Sequence, residues 1–211
     1  LRKQNPTSTV WVMQEIPPEK SLEQLPPAPL YRPNPQKEMV AFLINVAWGE
    51  ENIPSMLEML RKENVRATFF LDGSWTQKHP ELARRIAREG HEIGNHAYNH
   101  PQMSRLPARD ARWQMQTTSL IIEEVTGIRP IYFAPPGGDY NQQVVEIAAQ
   151  EGMKTILWTL DTIDWQRPSA DTILKRIVPH VQNGYFILMH PSPGTVQALQ
   201  PMIQGIRQKG L

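Results

Sequence analysis

A chain of 211 residues with 40% hydrophobic and 20% charged side chains has the length and balance of one globular domain with a substantial core. Its formal net charge of +1 gives no field that argues for nucleic acid or an anionic membrane surface. The absence of cysteine excludes disulfides, thiolate zinc sites and a cysteine nucleophile, and no apolar run approaches the roughly 18 residues of a membrane span.

The chain opens on Leu1 rather than Met, so a signal or anchor segment is expected ahead of it. Residues 1–36 hold eight of the 20 prolines, among them Pro17-Pro18, Pro26-Pro27 and Pro29. Proline fixes φ and removes a donor, so this stretch forms neither a long helix nor a central strand. It reads as a Pro-rich N-terminal arm lying on the domain, or as a disordered linker, with Val10-Trp11-Val12 as a short strand or anchor.

Residues 37–211 read as the domain. Apolar runs at 39–44, 67–71, 92–94, 131–133, 155–160 and 185–189 are predicted strands. Helical patterns fall between and after them, at 51–63, 79–89, 108–126, 141–151, 169–182 and 195–208. Gly90, Gly127 and Gly152 follow periodic segments and suit left-handed helix ends. Strands alternating with helices argue for an α/β fold of parallel βαβ units, either a barrel or an open doubly wound sheet.

Polar residues gather where those strands end: Asn45, His96 with His100, the turn after Phe133, residues 161–165, and His190. In parallel α/β folds that edge carries the site. His96 and His100 are four apart, so one helical turn would set both imidazoles on one face, a pattern suited to a divalent metal. The plainer alternative is a retained structural pair. Trp48 either fills space or forms part of a sugar platform. His79, His91 and His180 read as surface or fold positions.

Several motifs, in order, carry a resemblance. Ala67-Thr68-Phe69-Phe70 with Gly73, the run from Gly90 to His100, Tyr140-Asn141, the segment Asp161-Thr162-Ile163-Asp164-Trp165, and Leu188-Met189-His190 resemble the NodB-homology polysaccharide deacetylases, carbohydrate esterase family 4. The resemblance runs from about Tyr31 to Gly210 and is nearest the branch associated with sporulation. It implies a distorted (β/α) barrel and removal of acetyl groups from N-acetylglucosamine units of peptidoglycan or chitin. In active members one aspartate and two histidines hold a divalent metal, zinc foremost. The preceding aspartate is the base, a third-motif arginine orients it, and a fifth-motif histidine tuned by a fourth-motif aspartate is the acid. Carried over, His96 and His100 are metal ligands, His190 the acid and Asp164 its partner, while Trp165, Leu188, Pro135 and Tyr140 line the substrate groove.

The chain departs from that pattern where the chemistry is hardest. Aligned back from Pro54, Asn45 stands at the base and Val46 at the metal-binding aspartate; aligned on Gly49, Ala47 and Trp48 stand there instead. Either register loses both carboxylates. Ala134 stands where the arginine belongs. Losing a general base alone lowers rate by about 10²- to 10⁴-fold, and a site without its third ligand holds metal weakly. The expectation is therefore a pseudoenzyme with little or no deacetylase activity that binds N-acetylated glycan outside the cell, at the envelope or wall. The alternative is an active enzyme that draws a substitute carboxylate from Glu50, Glu51, Asp72 or Asp161.

Overall fold

In chain order, β1 (Ala41–Val46) leads to α1 (Ile53–Lys62), and β2 (Thr68–Leu71) to the short α2 (Gly73–Lys78) and α3 (Pro80–Arg88). Next come β3 (Glu92–Asn95), α4 (Ala108–Thr126), β4 (Tyr132–Phe133), α5 (Gln142–Gln150), β5 (Lys154–Thr155) and β6 (Leu160–Asp161). The chain closes with α6 (Ala170–Ile177), β7 (Phe186–Met189) and α7 (Pro193–Arg207). This computed structural model describes residues 27–32 and 38–211. The expected anchor at Val10-Trp11-Val12 lies outside them. Among the described residues no helix is long and apolar enough to cross a membrane.

The seven strands form one sheet in the order β5-β4-β3-β2-β1-β7-β6, and every named pair is parallel. It is a curled, barrel-like sheet with helices on its outside, which resolves the open choice between barrel and doubly wound sheet. The predicted strand at 155–160 is two strands at opposite ends of that order. Ile156 N still bonds Phe133 O at 2.8 Å, whereas Thr159 N bonds Phe186 O at 2.9 Å, so the chain crosses the barrel seam between them. The sequence pattern also omits α2. Six residues are too few to show helical periodicity, and the helix is set by its cap: the Asp72 carboxylate accepts from Trp75 N at 2.9 Å and from Ser74 Oγ at 2.7 Å.

Leu30 lies in the seam. Its N–H donates to Thr155 O at 2.9 Å, its carbonyl accepts from Leu157 N at 2.8 Å, and it pairs parallel with Ile156. One residue on, Tyr31 O accepts from Thr159 Oγ1 at 2.6 Å, and the Tyr31 hydroxyl meets that of Tyr140 at 2.7 Å.

The pleat sorts the core. Along β1, Phe42, Ile44 and Val46 join the outer cluster, where Ile53, Leu57, Ile177 and Met202 cover them from the helices. Leu43 faces inward and fills the barrel with Phe70, Ala134 and Ile156. A third cluster, with Phe133, Met115 and Ile147, joins β4 to α4 and α5. Parallel neighbours share a face, so Asn45, in register with Phe70, also points inward, while Val46, in register with Leu71, points out.

Candidate functional site

The site lies at the C-terminal ends of the strands. Asn45 is 3% exposed, and its Oδ1 is buried with no hydrogen-bond partner. Val46 is fully buried in the outer cluster. In the register counted back from Pro54 the position matched to the lost metal ligand therefore faces away from the side that Asn45 faces; in the register set on Gly49 that position is Trp48, which borders the cavity at the strand ends.

The loop after β1 is fixed by a close approach. Gly49 has φ +80, and a Cβ there would meet Pro191 O at 2.1 Å, so only glycine fits. Asn52 Nδ2 donates to the same carbonyl at 3.0 Å. With the loop tied to Pro191, Trp48 is 40% exposed and its ring lies parallel to that of His190, centroids 5.7 Å apart at 12°.

The two candidate ligand histidines meet without a helical turn. Ala97 and His100 both have positive φ, +61 and +56, which breaks any helix between 96 and 100. The loop is held instead by Asn95 Oδ1, which accepts from Ala97 N at 2.8 Å, and by Gln114 Oε1, which accepts from Tyr98 N at 2.8 Å. This geometry brings the rings of His96 and His100 edge to face with centroids 5.2 Å apart. His96 Nδ1 donates to Ala134 O at 2.7 Å, since a carbonyl only accepts; that leaves Nε2 with its lone pair. Burial above all, then the neighbouring His100, pushes its pKa down to about 3, so the imidazole is neutral.

Ala134 lines the barrel interior at 2% exposure, beside Leu43, Phe70 and Ile156. Its backbone is engaged on both sides, N–H to Asn95 O at 2.9 Å and C=O to His96. Further on, Gly138 has φ +67, and a Cβ there would meet Trp158 at 2.7 Å; this bare backbone lets the Trp158 indole pack against the loop.

The β6–β7 side is complete. The segment after β6 turns through left-handed Ile163 and Arg167, φ +52 and +56. Fully buried Asp164 accepts from His190 Nδ1 at 2.7 Å and from His190 N at 2.7 Å, and Thr195 Oγ1 donates to the same carboxylate. Thr195 was not among the residues singled out from sequence. The signal was there in Ser192-Pro193, a cap followed by proline at a helix start: Ser192 Oγ accepts from Thr195 N at 3.1 Å.

These groups surround a cavity of about 410 Å³ lined by Asn45, His100, Trp158, Asp161, Leu188 and His190, with Trp48 and Trp165 at its side. Of the expected groove residues Trp165 and Leu188 line it. Pro135 is buried, the Tyr140 hydroxyl is taken by Tyr31, and neither lines the cavity. Trp158 is an addition that sequence reasoning missed. Of the four candidate substitute carboxylates only Asp161 is there. Glu50 stands 3.9 Å from His79, Glu51 accepts from Asn52 Nδ2 at 3.0 Å, and Asp72 caps α2. Asp161 Oδ1 accepts from Ile163 N at 2.8 Å, and burial raises its pKa. A divalent metal held by protein needs a third ligand beside His96 and His100. Val46 has no donor atom, and among the described residues no group of three or more His, Cys, Asp or Glu could hold a metal ion. The side chains present do not fit the three-ligand site.

Residues 32–156 match the polysaccharide deacetylase family, and the chain belongs to it. It is 47% identical over 199 residues to the Bacillus subtilis protein YlxY, covering 94% of this chain and 62% of that one. A peptidoglycan-N-acetylglucosamine deacetylase of Bacillus cereus is 36% identical over 165 residues, 76% of this chain and 60% of that one. The chain thus spans about 60% of the length of these curated relatives. Among solved structures, BA3943 of Bacillus anthracis, described as a CE4 family pseudoenzyme, superposes with a TM-score of 0.89 at 44% identity, over 92% of this chain and 69% of that one. A mutant of BA3943 described as having restored enzymatic activity superposes equally well, at 43% identity.

Proposed function

We propose that this chain is a polysaccharide deacetylase domain that has lost its chemistry and kept its groove, and that it binds N-acetylated cell-wall glycan. The observation that carries the reading is the pairing of Asn45 and outward-facing Val46 with an intact Asp164–His190–Thr195 network around one cavity. Hydrolysis of an acetamide needs a base to take the proton of water and a Lewis acid to polarise the carbonyl. Asn45 cannot be the former, and two imidazoles alone make a weak holder for zinc or any other divalent metal. The aromatic walls that would stack on sugar faces remain. The pseudoenzyme description of BA3943 supports the reading, and the cell-wall relatives support an extracytoplasmic place at the envelope. The sporulation-associated branch that the motifs resemble is the setting we infer.

The test is acetate release from N-acetylglucosamine oligomers with zinc, cobalt or nickel added. Unaltered protein is expected to release none, and turnover comparable to an active family member would overturn the proposal. Val46 faces the outer core while Trp48 borders the cavity. Ala47→Asp, Trp48→Asp and Ala134→Arg together, the register set on Gly49, are therefore expected to restore measurable release, whereas Asn45→Asp, Val46→Asp and Ala134→Arg are not. A second reading has one observation in its favour: alone of the four candidate carboxylates Asp161 lines this cavity, where burial raises its pKa. It predicts slow release by unaltered protein that Asp161→Asn abolishes.

A further inference from the structure

Beyond Trp48 and Trp165 the groove opens into a second cavity of about 710 Å³, lined also by Glu51, Arg167, Ser192 and Gln197. Both tryptophans border both cavities, so an occupant lying along them reaches from one into the other. The polar groups of the second cavity are unequal. Ser192 Oγ is used up, donating to Thr195 Oγ1 at 3.0 Å and accepting from Thr195 N. Glu51 is engaged with Asn52. The Arg167 side chain has no hydrogen bond or acidic partner among the described residues. Its backbone is nonetheless set, in the left-handed conformation with its N–H on Asp164 O at 2.9 Å, so the guanidinium issues from the same rigid turn that holds Asp164 and Trp165.

An unpaired guanidinium at the rim of a sugar-sized hollow matches a carboxylate, which it can take through two parallel N–H···O bonds. We propose that the second cavity is an anion subsite: Arg167 receives a carboxylate carried by the sugar next to the one held against Trp48 and Trp165. The groove then prefers carboxylate-bearing N-acetylated strands, such as those of peptidoglycan, to neutral N-acetylglucosamine oligomers. This rests on the glycan-binding reading above. Glu51 works against it from the same cavity, which limits the preference and gives a second handle.

Three probes, followed by tryptophan fluorescence, separate the possibilities: the N-acetylglucosamine pentamer, amidase-stripped peptidoglycan strands with free lactyl carboxylates, and the same strands methyl-esterified. The free-acid strands are expected to bind about tenfold tighter than the other two, the scale of one charge-assisted contact at a rim. Added salt is expected to shrink that margin. Arg167→Gln is expected to bring the strands down to the pentamer's level, and Glu51→Gln to widen the margin. Equal binding of all three probes, or a preference that survives in Arg167→Gln, would overturn the subsite and leave the glycan reading standing. Binding of none would overturn both.

Discussion

The two sides of the cavity have had opposite fates. At the end of β1 the positions matched to the family's two aspartates hold Asn45 and Val46 in one register and Ala47 and Trp48 in the other, none of them an acid, and across the barrel Ala134 stands at the position matched to the arginine. At the ends of β6 and β7, Asp164, His190 and Thr195 form a complete buried network. The difference follows from what each group does for the fold. Asp164 accepts from a backbone N–H, an imidazole and a hydroxyl, so removing it leaves donors stranded in the interior. A carboxylate at 45 or 46 makes no such contribution; without a metal it is a buried charge with no partner. Retention of the β6–β7 side therefore needs no appeal to catalysis.

That contrast is open to measurement. Val46→Asp should produce the largest change, a loss of about 3–5 kcal/mol in urea unfolding, because it sets an unpaired carboxylate in the outer core. Zinc should recover part of the loss if the side chain can turn back toward His96 and His100. No recovery would mean that the strand end itself must be rebuilt. Next in size, Asp164→Ala should cost about 2–4 kcal/mol, whereas Asn45→Ala should change stability by less than about 1 kcal/mol, since Asn45 Oδ1 makes no bond to lose. Equal costs at the two positions would sink the account of why one side survived.

The smallest effect is on pH dependence and comes from buried histidines outside the Asp164–His190–Thr195 network. His91, buried at the start of β3, accepts from Ala67 N through Nδ1 at 3.2 Å, and burial lowers its pKa. The unfolded chain then takes up its proton first, near the ordinary histidine value of about 6.5. Stability from this group is present above that value and falls as pH drops below it. The thermal midpoint of unaltered protein should decline below about pH 6.5; His96, lowered to about 3 by burial, contributes the larger part, and His91→Gln should remove a smaller part of the slope.

Much of this was legible in the chain because period and chemistry coincide. Alternating strand and helix patterns made the βαβ order readable, and of the polar residues after each run Asn45, His100 and His190 line one cavity at the strand ends. What was hidden was three-dimensional. Four-residue spacing suggested a helical turn for His96 and His100, but positive φ at Ala97 and His100 makes it a loop whose hydrogen bonds come from Gln114, remote in sequence. The apolar run at 155–160 concealed a crossing of the seam, because hydrophobicity does not record which neighbour a strand pairs with. Counting residues left two registers open, with Val46 or Trp48 at the ligand position; the pleat, which counting ignores, points Val46 outward.

Leu30 gives one last consequence. A protein trimmed to begin at residue 37 would lose the only peptide group seen to bridge the gap beside β5 among the described residues, exposing the Thr155 carbonyl and the Leu157 N–H. An unprotected strand edge is a template for another chain. The short stretch around Leu30 is thus what keeps the sheet from recruiting a neighbour's backbone, and its removal should show itself as self-association before it shows as unfolding.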